Sequence, residues 1–166
     1  LLDNLSDNLK ILENGKQALI DTLLVQARIS FAQTHHQQTE LSQISSQLCS
    51  QGFSFYRLNN AQYYSHLSIN DSKLKRQATQ QISADAIFVP DQKRMAKLTN
   101  NQRLKLAFIL HTGYGIQDLT YRIINDLDPV AACRYLEDQK ETTPSTPQIQ
   151  AYQPPIQASP SSPENV

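Results

Sequence analysis

Apolar residues recur at intervals of three and four near the start of the chain: Leu2, Leu5, Leu9, Leu12, Leu19 and Leu23, with Lys16 in one seam position. That spacing gathers them on one side of a helix, and such a stripe needs a covering partner. Gly15, directly after Asn14, interrupts the run as a helix C-cap or as a weak point costing about 1 kcal/mol. A second series, Ile20, Leu24, Ala27 and Phe31, keeps the helical interval. From Thr34 to Ser50 the apolar positions thin to Leu41, Ile44 and Leu48, the narrow seam of a helical hairpin or coiled coil. The expectation is a long helical arm over residues 1–51, with Leu5, Leu9, Leu12, Leu19 and Leu23 as its partner-binding stripe.

Residues 52–97 form a middle segment. Phe53-Ser54-Phe55-Tyr56-Arg57-Leu58 alternates apolar and polar at first, and Ala86-Ile87-Phe88-Val89 precedes Pro90. Either run fits a short strand, and together they allow a two-stranded β ribbon. Between them, Asn59-Asn60 and Asn70-Asp71 read as caps opening helices around Tyr63–Ile69 and Lys73–Ala84. Helix is the preferred reading of this middle.

Residues 98–141 read as a three-helix unit. Thr99 and Gln102 make a capping box, and the following helix is apolar at Leu104, Leu106, Ala107, Phe108, Ile109 and Leu110, so most of its surface should be buried. Phe108 and Leu119 are expected in its core. Gly113-Tyr114-Gly115 breaks the helix. A second helix carries Ile116, Leu119, Ile123 and Leu127 on one face. Asp128-Pro129 opens a third, with Val130, Cys133 and Leu136 inward. The expected fold is therefore mainly α.

Composition changes the picture at the C-terminus. Hydrophobic residues make up 39% of the 166 residues, a low share that implies chain outside a packed core. Residues 142–166 hold Pro144, Pro147, Pro154, Pro155, Pro160 and Pro163 among Gln, Ser and Thr. Too few apolar groups are present there to offset the entropy of ordering, so a disordered or polyproline-II tail is expected. Pro144, Pro147, Pro154 and Pro155 have the spacing of a ligand for an aromatic groove.

Charge totals zero but is uneven: residues 57–105 hold nine basic and three acidic side chains. Lys73, Lys75, Arg76, Lys93, Arg94, Lys97, Arg103 and Lys105 are thus candidates for contact with nucleic acid or an acidic partner. Leu98-Thr99, Gly113, Leu119-Thr120, Arg122-Ile123 and Val130 fall at spacings similar to those of helix-turn-helix units. The third helix, however, carries Glu137, Asp138 and Glu141, which phosphates would repel.

Candidate chemistry is sparse. Adjacent His35 and His36 point apart on a helix and cannot form an i, i+4 metal pair. Gly113-Tyr114-Gly115 follows a helix where a nucleotide loop would follow a strand. Cys49 and Cys133, 84 positions apart, read as buried or half-buried reduced thiols of a soluble, cytoplasmic chain. No apolar run reaches the roughly 18 residues of a membrane span. No catalytic group, metal, cofactor or small-molecule substrate is expected. The function read from the sequence is a non-catalytic helical interaction or assembly module, a scaffold or adaptor that binds a protein partner or itself. The alternative is a nucleic-acid-binding protein using segment 57–105 and the helix-turn-helix-like unit.

Overall fold

Val25, Ala27 and Ile29 alternate with Gln26, Arg28 and Ser30, and this period of two makes residues Val25–Ser30 a strand, β1. In the computed structural model, which describes residues 1–2, 8–32, 39–66 and 78–142, β1 joins two longer strands, β2 (Phe53–Tyr64) and β3 (Gln80–Pro90). They form an antiparallel sheet of order β1-β3-β2, with Arg28 opposite Asp85 and Asn59 opposite Asp85 on the other side. Leu2 adds a single parallel bridge to Ala27 at the outer edge of β1.

Short helices α1 (Asn8–Asn14) and α2 (Lys16–Ile20), with α3 (Leu41–Ser50), cover one face of the sheet. Leu12, Leu19, Ile44 and Leu48 meet Val25, Ala27, Ile29, Phe53, Ala84, Ala86 and Phe88 there. After β3 come α4 (Gln92–Lys97), α5 (Asn100–Tyr114), α6 (Gln117–Leu127) and α7 (Pro129–Thr142). Leu106, Leu110, Ile116 and Ile123 build a second core around Val89. The central strand serves both cores, and Ala84 through Pro90 are buried without a break.

The mainly α architecture with a long helical arm is corrected by this sheet. Over Leu24–Phe31 the residues satisfy a helical interval and a strand alternation alike; pairing with β3 selects the strand. The short ribbon becomes three strands, because the middle segment packs helices on both faces of β3. Tyr63 and Tyr64 end β2 instead of starting a helix, and Asn60 occupies a positive-φ position (50°) in an irregular stretch of that strand.

Among the later helices, the Thr99–Gln102 capping box is present, and Asp128 Oδ1 accepts the Val130 and Ala131 N–H groups. Here α5 runs through Gly113 and ends at Gly115, whose φ of 61° is a left-handed cap. Three residues expected inside α7, Val130, Cys133 and Leu136, are exposed; Ala132 is buried, and the Tyr135 hydroxyl lies 2.9 Å from His111 Nδ1. Cys49 is exposed too, one residue and so about 100° round the helix from buried Leu48. Leu5, His35, His36, Lys73, Lys75, Arg76 and the Pro-rich segment 143–166 lie outside the described residues.

Candidate interaction surface

The guanidinium of Arg94 is a structural tie. Arg94 starts from α4, where the side chain of Asp91 accepts its N–H at 2.7 Å. Its Nη2 donates to the carbonyls of Leu19, Ile20 and Thr22 at the end of α2, and its Nη1 donates to Gln51 O at the end of α3. Helix ends leave carbonyls short of internal partners, although Leu19 O also accepts the Thr22 N–H at 3.2 Å, and a planar five-donor group satisfies several at once. The same group lies 4.2 Å from the Phe53 ring centroid. Burial lowers its pKa, partly offset by Asp91 and Asp21.

The other cations read as a basic segment are divided. Lys93 and Lys97 share a polar hollow of about 460 Å³ with Cys49 and Arg94. Arg103 lines a cleft of about 470 Å³ with Tyr56, Met95, Leu119, Arg122 and Asp126. Lys105 belongs to a third concavity. The leucines of the arm are also separated: Leu12 and Leu19 are buried against the chain's own sheet, Leu9 is half-buried, and Leu23 lines that third concavity.

A polar cluster lies on the sheet face near Tyr114. Asp85, 2% exposed, accepts from Arg28 Nε at 3.1 Å, Gln26 Nε2 at 3.0 Å and Asn60 Nδ2 at 2.8 Å. The Tyr114 hydroxyl donates to Gln26 Oε1 at 2.8 Å, and Arg57 donates to the Tyr114 carbonyl. Burial alone would raise the Asp85 carboxyl, but hydrogen bonds from Asn60, Arg28 and Gln26 outweigh it and lower the pKa. These polar groups satisfy one another across three strands and α5, which is what a structural network does.

The 470 Å³ cleft is likewise braced from within. The Tyr56 hydroxyl donates to Asp118 at 3.1 Å, and burial, then the Asp118 carboxylate, raises the tyrosine pKa. Among the described residues, no group of three or more His, Cys, Asp or Glu side chains could hold a metal ion.

The outer side of α5 is different. Leu106 and Leu110 are fully buried on its inner side, yet Leu104 is 51% and Phe108 67% exposed. With Leu23, Asn101, Lys105 and Ile109 they line an open hollow of about 390 Å³. Phe108, expected in the core, is thus corrected to the surface. Its helix is apolar on two opposite sides, so the sequence carries no signal for which side the sheet will cover. Residues four apart lie one above the other on a helix, so Leu104 and Phe108 make one continuous ridge.

No helix among the described residues is long and apolar enough to cross a membrane. Searches of protein-family models, curated proteins and solved structures find no match to this chain.

Proposed function

We propose that the chain is a non-catalytic protein-interaction module that receives its partner on the outer face of α5. The observation that carries this reading is the exposure of Leu104 and Phe108 on a helix already anchored by Leu106 and Leu110. A surface helix normally turns its polar side to water; here a second apolar side meets it. An exposed aromatic such as Phe108 is of the residue class enriched at the buried centre of protein interfaces, and Leu104 beside it extends the apolar area to be covered. The leucines near the N-terminus support the same choice of surface, because Leu12 and Leu19 already have their partner within the chain while Leu23 contributes to the hollow.

A benzophenone amino acid in place of Asn101, at the rim of the hollow, tests the reading in cells that make the protein. Irradiation is expected to yield one discrete protein adduct, a second copy of the chain included, that disappears with Phe108→Asp. The same probe at exposed Ser46 on α3 should yield none. Equal yields at both positions, or adducts indifferent to Phe108→Asp, would overturn it.

A further inference from the structure

The 26 residues 92–117, which build α4 and α5, contain no carboxylate side chain and hold Lys93, Arg94, Lys97, Arg103 and Lys105. Arg94 and Arg103 direct guanidinium nitrogens to backbone carbonyls. Lys105 is exposed, lines the α5 hollow itself, and has no partner among the described residues. The first turn of α5 has no acidic residue to offset the positive end of the helix dipole. Among the described residues, the one charged side chain lining the apolar ridge is therefore a cation, Lys105, while the nearby carboxylates Asp21 and Asp91 act on Arg94.

We infer that the partner is an acidic amphipathic helix, laid along α5 with apolar side chains over Leu104 and Phe108 and carboxylates beside Lys105. This rests on the interaction reading above and adds its charge. Two apolar residues one turn apart on the partner match the ridge, as in helix-in-groove recognition. A purely apolar partner would cover the ridge and leave the Lys105 ammonium without a counter-charge. A basic one would be repelled, and that repulsion discriminates between partners more than it adds affinity. Phosphates of a nucleic acid would answer Lys105 but leave Leu104 and Phe108 uncovered.

Two synthetic helical peptides with identical leucine and phenylalanine positions, one flanked by Glu and one by Lys, test the inference against the full chain by fluorescence anisotropy. The Glu peptide is expected to bind at least about tenfold more tightly at low salt, with the advantage shrinking as salt rises. Lys105→Glu should remove or reverse that preference. Phe108→Ser should abolish binding of both peptides while the far-ultraviolet spectrum and melting temperature stay at wild-type values. Equal affinities for the two peptides would overturn the acidic partner and leave the docking face standing. No binding of either peptide would overturn both. Phe108-dependent sedimentation with phosphatidylserine vesicles, without peptide binding, would replace the protein partner by an anionic lipid surface.

Discussion

Arg28 Nε lies 3.1 Å from Asp85 Oδ1, joining the edge strand β1 to the central strand β3 at directly opposed register positions. The carboxylate is buried while the arginine side chain is about half exposed, so the pair is anchored from the Asp85 side. Gln26 and Asn60 complete its hydrogen bonds from both neighbouring strands. Asp85→Ala removes the common acceptor of three donors and is expected to cost about 2–3 kcal/mol in urea unfolding. Arg28→Ala, which removes one half-exposed donor, should cost clearly less.

The same carboxylate sets an acid limit. Its pKa is lowered in the folded state, so its contribution is present above the unfolded carboxyl range near 4 and is lost as pH falls through the folded value. The urea midpoint of the wild type should drop on acidification below about pH 4. The Asp85→Asn protein, already lacking the charge, should show a shallower fall; parallel curves would remove Asp85 from the account.

Arg94→Ala should destabilise the chain by about 2–3 kcal/mol, because carbonyls at the ends of α2 and α3 lose their donors and Phe53 loses its cation. Arg94→Lys keeps the charge but not the planar fork. It should restore less than half of the loss in chemical denaturation.

Two neighbours on α5 should behave oppositely. Leu110, fully buried, should cost about 2–5 kcal/mol as Leu110→Ala. Phe108→Ser, at an exposed position, should change stability by less than about 1 kcal/mol. Thermal melts of the two variants decide it, and a Phe108→Ser protein as unstable as Leu110→Ala would place the aromatic ring in a core.

Local signals carried part of this structure in plain view. Thr99–Gln102 and Asp128-Pro129 are caps whose chemistry involves only residues two or three apart, so they can be read without a fold. The sheet is less legible. Over Leu24–Phe31 two periodicities coincide for too few residues to separate, and β3 lacks the alternation that betrays a half-covered strand, because helices cover both its faces. Arg94 looked like one more surface cation since its carbonyl partners are 43 to 75 positions away. The α5 hollow was hidden by the apolar richness that creates it: Phe108 has a core residue's chemistry and a surface residue's place.

Among the described residues, both ladders between β1, β2 and β3 include β3, the last of the three to be synthesised. Asp85 meets Asn60 across 25 positions and Arg28 across 57, so neither ladder can form among the first 79 residues alone. Closing chain segments of that length costs entropy before any ladder bond returns it, which favours slow folding over the rapid collapse of local helix pairs. On the ribosome, the segments that become β1 and β2 emerge with the edges they turn to β3 unmatched until residues 80–90 leave the tunnel. A nascent chain paused before that point holds the leucines of the first core with no sheet to receive them, apolar surface of the kind that invites aggregation.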